Sequence, residues 1–169
     1  ADRPAYAALA HASGLKPIVS RSRLRRRVEV VPAALALAQA AIESGWGTSR
    51  FARQGNAFFG ERTYQTDQPG MTPTALQGQV SRFKVKSFPS AALSVRSYMK
   101  TLNTHPAYVS LRQQRALLRK RGTTPTGSAL VEALHGYSEL GATYINRIST
   151  TLLNNNFKVY DNLQSMIVE

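Results

Sequence analysis

The sequence contains no cysteine, which excludes disulfides and thiol chemistry and leaves the redox compartment unmarked. Acidic side chains are scarce: nine Asp and Glu stand against twenty-two Lys and Arg, a formal net charge of +13. A surface so unbalanced seeks a polyanion. Nucleic acid is one such partner, and the anionic bacterial cell wall, with its peptide carboxylates and acidic polymers, is another. Histidine is also rare. His11, His105 and His135 lie far apart without metal-ligand spacing, so neither a metal nor another cofactor is expected. No uninterrupted apolar run is long enough to cross a bilayer, so no transmembrane segment is expected. What remains is a 169-residue chain, 43% hydrophobic, with enough apolar text to bury one domain's core.

Tryptophan occurs once, and its setting is the most informative in the chain. Trp46 stands between Gly45 and Gly47, directly after the helical run that ends Ala40-Ala41-Ile42-Glu43-Ser44. A helix that stops at glycine is ordinary, but a carboxylate at that end is not. The helix macrodipole is negative there and disfavours an ionised Glu43. An apolar wall such as Trp46 would disfavour the ion further through desolvation. Both effects push Glu43 towards the protonated form that a general acid needs. The alternative is an exposed or capping glutamate, as most are.

The rest of the chain reads as mostly helical with one small β excursion, an α+β arrangement. Residues 1–31 pass Gly14 and Pro17 and enter the run Arg21-Ser22-Arg23-Leu24-Arg25-Arg26-Arg27, which reads as a basic, frayed helical arm; residues 32–169 read as the catalytic domain. Pro32 suits a first helical position, and 33–44 is rich in Ala and Leu. Gln39 and Glu43 are four apart and share a face with Ala36 and Ala40, small residues that allow close approach. Thr48 or Ser49 caps a short helix through Arg53. Residues 54–87 are irregular; within them Tyr64 and Val80–Lys86 read as β, with Phe83 and Val85 on one face and Lys84 and Lys86 on the other. Ser87 or Ser90 caps a helix to about Leu102 whose inward residues are Leu93, Val95, Tyr98, Met99 and Leu102. Pro106 opens the next, to about Arg121. Ser128 begins a short helix to His135, and a last one runs from about Ser138 to Asn154 with the stripe Ile145, Ile148 and Leu152. Leu102–Tyr108 reads as a helix–helix junction in which His105 is a cap or core residue rather than a proton shuttle.

The run Ala38-Gln39-Ala40-Ala41-Ile42-Glu43-Ser44-Gly45-Trp46-Gly47-Thr48-Ser49-Arg50-Phe51-Ala52, followed by Gln54-Gly55-Asn56-Ala57-Phe58-Phe59-Gly60, resembles the signature of bacterial peptidoglycan glucosaminidases. These are glycoside hydrolase family seventy-three, and the likeness is strongest to its Bax-like branch. Arg27–Pro32, Ser94–Met99, Leu102–Tyr108 and Tyr137-Ser138-Glu139 match in the same order, so the resemblance spans about Leu24 to Asn156. It implies a lysozyme-like fold whose small β lobe forms one wall of a cleft, with Glu43 in the place of the family's catalytic acid. Tyr137 falls on a tyrosine that relatives carry in the active site, where its phenol would hold an acetamido group or a water; Glu139 and Tyr144 beside it read as structural.

Glycoside hydrolysis commonly uses two carboxylates. None lies between Asp67 and Glu132, and the resemblance implies a second acid in the β lobe, which leaves Glu61 and Asp67 as candidates, neither in a recognisable motif. Both are equally well read as ordinary loop acids. Substrate assistance, in which a 2-acetamido group serves as nucleophile, needs only one protein acid and suits this gap. Asn56, Phe58, Phe59, Trp46 and Gln39 complete the candidate substrate-binding set, although one of the two phenylalanines is expected in the core.

The leading reading is an endo-β-N-acetylglucosaminidase that cuts peptidoglycan between N-acetylglucosamine and N-acetylmuramic acid. Two others stay open: a lytic transglycosylase, which also uses a single Glu, and a binding module for an anionic polymer without catalysis. A nucleic-acid module would show a reading helix or interleaved aromatics, and neither is present. A monomer acting in the periplasm or outside the cell, against the wall, is the expectation.

Overall fold

Where the sequence runs to alanine and leucine it is helical, and where it runs to Gly and Pro it is not. The computed structural model describes residues 21–73, 82–138 and 140–167. Helix α1 is Arg21–Arg27, α2 is Ala33–Ser44 and α3 is Arg50–Gly55. Three short strands follow, β1 Arg62–Thr63, β2 Gly70–Met71 and β3 Lys84–Lys86. The remainder is α4 Ala91–Thr104, a 3-10 turn Pro106–Tyr108, α5 Val109–Lys120, α6 Gly127–Leu130, a second 3-10 turn Val131–Leu134, α7 Ala142–Asn154 and α8 Lys158–Ile167. The result is the mostly helical α+β fold of lysozyme type that the sequence implies. No helix among the described residues is long and apolar enough to cross a membrane. The expectations for residues 1–20, for Val80 and Ser81 and for Glu139 lie outside the described residues.

The chain divides into two units, residues 36–98 and residues 1–35 with 99–169. In the first, the strands form an antiparallel sheet in the order β1-β3-β2, Arg62 opposite Val85 and Gly70 opposite Lys86. Val85 is buried, the inward half of the predicted alternation. Gly70 must be glycine for packing reasons: a Cβ there would lie 2.8 Å from both the Cβ of Lys84 and the carbonyl oxygen of Val85. Buried beside the sheet residues are Ala38, Ala41, Ala52, Ala57, Phe59 and Tyr98.

Helix α4 corrects one expectation. Leu93 and Val95 are exposed, at 41% and 37%, whereas Ser94, Tyr98 and Leu102 are buried. The inward stripe is therefore the i, i+4, i+8 line from Ser94. Serine can head that line because its hydroxyl accepts the Phe58 N–H at 3.3 Å, so the buried polar atom is satisfied. Ser90 is the residue that serves the start of α4, accepting the Leu93 N–H.

The other unit is fastened by three buried charges among its described residues. Arg115, fully buried on α5, donates to the carbonyl oxygens of Arg26 (2.8 Å), Glu29 (3.3 Å) and Val30 (3.2 Å) and to Asn103 Oδ1 at 2.7 Å. Its Nε lies 3.3 Å from Glu29 Oε2, and Arg119 takes the other oxygen of that carboxylate at 2.6 Å. Asn103 completes the lock by donating to the Glu29 carbonyl at 2.8 Å. Burial draws the Arg115 guanidinium below its ordinary value, and Glu29 draws it back. Burial, then Arg27, lowers Arg112 likewise; Arg112 is held by the carbonyls of Leu102 and His105. Around these charges lie Leu24, Leu102, Leu111, Leu130, Leu134, Ile145, Ile148 and Leu152, all buried. His105 is a cap, its Nδ1 accepting the Ala107 N–H at 3.2 Å.

Asp161 is the third charge. It sits on α8, a helix the sequence reading did not contain, and accepts the N–H of Ala34 at 2.9 Å and of Gly127 at 2.7 Å. Those are the second residue of α2 and the first of α6, so one carboxylate serves two positive helix ends. Gly127 permits the approach, since a Cβ there would come within 2.9 Å of the Leu35 nitrogen. Replacing Asp161 by Ala would strand two buried N–H groups at roughly 1–2 kcal/mol each. Chemical unfolding should therefore show a loss of about 2–4 kcal/mol, and a loss under 0.5 kcal/mol would contradict the double cap.

Candidate active site

Helix α2 closes with two hydrogen bonds that reverse the chain. The Trp46 N–H reaches back to the Ala41 carbonyl at 2.7 Å and the Gly45 N–H to that of Ile42 at 3.4 Å, the paired arrangement of a Schellman end. Gly45, Trp46 and Gly47 all have left-handed backbone, at φ 57°, 57° and 75°. For the two glycines this is free; for a tryptophan it costs on the order of 1 kcal/mol. Ser44 binds the turn from inside, donating to the Ala40 carbonyl at 2.6 Å and accepting the Gly47 N–H at 2.8 Å. Ser49 then caps α3, its hydroxyl accepting the Ala52 N–H. The helix thus ends one residue past Glu43, on a rigid turn that holds Trp46 outward, 60% exposed. A tryptophan so open offers a face for stacking rather than the enclosing wall expected of it.

A second turn comes up against the Glu43 carboxyl. Asn56 ends α3 in left-handed backbone at φ 49°, its side-chain amide donating to the Phe88 carbonyl at 3.0 Å. Phe59 goes into the core and stacks on Tyr98, ring centres 3.9 Å apart; Phe58 is half-buried. The chain then turns at Gly60, φ 61°, where a Cβ would stand 3.6 Å from Glu43 Oε2. Glu43 itself is half-buried. The motif therefore brings one partly shielded carboxyl, a bare backbone edge and an open indole to neighbouring turns.

Other candidates fall in different settings. Gln39 is fully buried, and its carboxamide oxygen accepts the Tyr98 hydroxyl at 2.7 Å. It braces α2 from within and does not share the exposure of Trp46. Glu61 is engaged as well: one oxygen receives Lys86 at 3.2 Å and Ser97 at 2.9 Å, while its other oxygen is buried without a hydrogen-bond partner. Asp67 is exposed in the loop before β2. Tyr137 belongs to the other unit, stacked on Tyr144 at 5.4 Å and tilted against Tyr108 at 5.9 Å. Its turn packs closely on the Pro106 turn, because a Cβ at Gly136 would lie 2.8 Å from the Ala107 carbonyl oxygen.

Residues 22–157 match the glucosaminidase family, described as mannosyl-glycoprotein endo-beta-N-acetylglucosaminidase. The chain belongs to the glucosaminidase family. A curated relative is "Protein bax" of Escherichia coli (strain K12), 37% identical over 147 residues. The alignment covers 85% of this chain and 47% of the relative, so the chain spans about half the length of the curated relative it matches. No solved structure matches the chain. For this glucosaminidase-family chain the family match runs through the Glu43 turn, the sheet and the Tyr137 turn, and stops before α8. Asp161, which ties α2 and α6 together, thus lies beyond the matched region.

Sequence reasoning gave no role to Arg115, Glu29 or Asp161, although Glu29 stands in the matching segment Arg27–Pro32. A signal for Glu29 was present: it is the sole acid between Asp2 and Glu43 in a strongly basic chain, where an acid is expected to find a cation. Arg115 was hidden among four other basic residues from Arg112 to Arg121.

Proposed function

We propose that this chain is a peptidoglycan hydrolase, an endo-β-N-acetylglucosaminidase that cuts the β-1,4 bond between N-acetylglucosamine and N-acetylmuramic acid. The observation that carries the reading is the Glu43 turn: an acid at a helix end, faced by bare backbone at Gly60 and followed by an exposed Trp46. In this mechanism Glu43 protonates the leaving glycosidic oxygen while Trp46 stacks on a sugar face. The 2-acetamido group of the bound N-acetylglucosamine attacks its own anomeric carbon, and water then opens the resulting ring. Tyr137 holds the acetamide or that water. Phe58 and Asn56 line the sugar side, and Gln39 and Phe59 keep Tyr98 and α2 in place.

Digestion of purified peptidoglycan with mass spectrometry of the fragments tests the reading. New reducing ends on N-acetylglucosamine are expected, whereas anhydro-muramoyl ends would replace hydrolysis by transglycosylation. An ordering of side chains follows from substrate assistance. Tyr137→Phe should lower turnover while shifting stability by about 1 kcal/mol or less, the scale of one hydrogen bond. Glu61→Gln and Asp67→Asn should cost less turnover than that, because Glu61 is bound to Lys86 and Ser97 and Asp67 is exposed. If either amide variant abolishes activity as fully as loss of Glu43, a second protein carboxylate is at work and substrate assistance falls.

The basic surface docks the enzyme on the anionic wall of the periplasmic or extracellular face. Arg21–Arg27 is helical, with Leu24 buried and Arg25 exposed. Neutralising Arg21, Arg23, Arg25, Arg26 and Arg27 should weaken co-sedimentation with intact sacculi at low salt. The difference should fade at ionic strengths where the Debye length is about 10 Å or less. Unchanged sedimentation at low salt would leave the helix a purely structural role.

A further inference from the structure

The β sheet carries a pocket that the proposed chemistry does not use. It has a volume of about 310 Å³, at the small end of the range for ligand sites. Thr63, Gln65, Thr66 and Thr72 line it with hydroxyl and amide groups, and Tyr64 and Phe83 with rings. Arg82 and Lys84 supply its charge, and no carboxylate lines it among the described residues. Tyr64 is 70% exposed, far more than a core aromatic, and tilts against Phe83 with ring centres 6.3 Å apart. Phe83 in turn carries the Arg62 guanidinium 4.5 Å from its ring centre, a cation–π contact that adds a third positive group next to the aromatic pair.

The two lining cations differ. Lys84 Nζ is tied to the carbonyl oxygens of Thr66 at 3.0 Å and Gln68 at 2.8 Å, which fixes its position without neutralising it. Arg82 is exposed and has no ion-pair partner among the described residues. The rim is held as well, since Arg50 donates to the Thr72 carbonyl at 2.7 Å. An open ring beside uncompensated positive charge, with hydroxyls and amides around it, suits a sugar that bears a carboxylate: the ring stacks and the acid pairs. A polynucleotide fits less well, because one exposed tyrosine gives a single platform where successive bases need several.

We propose that this pocket binds the carboxylate-bearing unit of the glycan strand, the sugar face on Tyr64 and the carboxylate on Arg82 and Lys84. It rests on the reading of the chain as a peptidoglycan hydrolase and extends it to a second point of substrate contact. Tyr64 follows Gly60 by four residues, so even a fully extended chain puts their Cα atoms no more than about 14 Å apart. One strand can therefore meet both the Glu43 turn and this pocket. The carboxylate has two sources in such a strand, the lactyl group itself and the end of an attached peptide.

The test is calorimetry at low salt on the whole chain carrying Glu43→Gln, which separates binding from turnover. Three tetrasaccharides serve as probes: neutral N-acetylglucosamine tetramer, an alternating tetramer with free lactyl acids, and the same tetramer with each lactyl acid joined to a dipeptide. The free-acid probe should bind about tenfold more tightly than the neutral one, the scale of one charge-assisted pair. Arg82→Gln should cut that preference several-fold, Lys84 keeping the remainder, and Tyr64→Ala should weaken all three probes; both side chains are exposed, so circular dichroism melts should not move. Tighter binding of the dipeptide probe than of the free acid assigns the peptide carboxylate, and weaker binding assigns the lactyl group. Equal affinity for acidic and neutral probes, or a preference undiminished by Arg82→Gln, overturns the pocket. If wild-type protein releases no new chain ends while the preference persists, the hydrolase reading falls and the binding site stands.

Discussion

A Glu43→Gln protein should fold as the parent does and lose roughly two to four orders of magnitude in peptidoglycan hydrolysis, the usual worth of general acid catalysis. The substitution keeps the side chain's shape and removes its transferable proton. The bonds that close α2, from Gly45, Trp46 and Ser44, do not use the carboxyl. Fragment release from sacculi, measured alongside a thermal melt, separates the two quantities. Near-parental release by a folded variant would remove Glu43 from the chemistry.

The second large effect is on stability and lies far from any chemistry. Arg115→Met should destabilise the protein by about 3–5 kcal/mol, the cost of breaking a buried ion pair from one side. Four acceptors lose the Arg115 guanidinium together: the carbonyls of Arg26 and Val30, Asn103 Oδ1, and the Glu29 carbonyl, which keeps Asn103 as a donor. Glu29 keeps Arg119, which is half exposed and holds it from the solvent side only. For a chain of this size the melting temperature should drop on the order of 10 °C. Arg115→Lys should recover only part of it, because one ammonium cannot reproduce the planar fork that reaches several acceptors at once. A drop of less than 2 °C on Arg115→Met would mean that the segment from Arg26 to Val30 is held by other contacts.

The helices were legible wherever composition and caps agreed. Ala33–Ser44 combined an alanine-rich run with Pro32 before it and Gly45 after it, and Ser49 announced α3 as a cap. Strand β3 was legible within the Val80–Lys86 reading because alternation is a local property, although the strand is only Lys84–Lys86 and excludes Arg82 and Phe83; its partners β1 and β2 are two residues each, too short to carry any pattern. The inward face of α4 was misread because hydrophobicity was followed instead of burial: Ser94 is inside through its bond to Phe58, and Leu93 and Val95 are outside. Helix α7 begins at Ala142, four residues later than Ser138 suggested, since Gly141 adopts φ 49° immediately before it. Helix α8 was missed altogether; Asp161 inside it is a poor helix former whose value lies in two distant N–H groups.

At the site, the Glu43 turn was legible because a helix-ending glycine, a lone tryptophan and an acid are all local signals. The Gly60 turn that faces it was visible only as part of a motif, and its approach to the carboxyl is a tertiary fact. The same holds for Glu61, whose two partners, Lys86 and Ser97, lie 25 and 36 residues further along.

The most direct measurement of Glu43 as general acid compares two leaving groups. Oligomers of N-acetylglucosamine bearing a sugar or a dinitrophenolate at the scissile position would be hydrolysed by wild type and by Glu43→Gln. Dinitrophenolate departs without a proton, so the variant's deficit should shrink from about 10²–10⁴ on the sugar to about tenfold or less on the phenolate. An equal deficit on both substrates would contradict the assignment, because a residue that donates the proton cannot matter equally where no proton is needed.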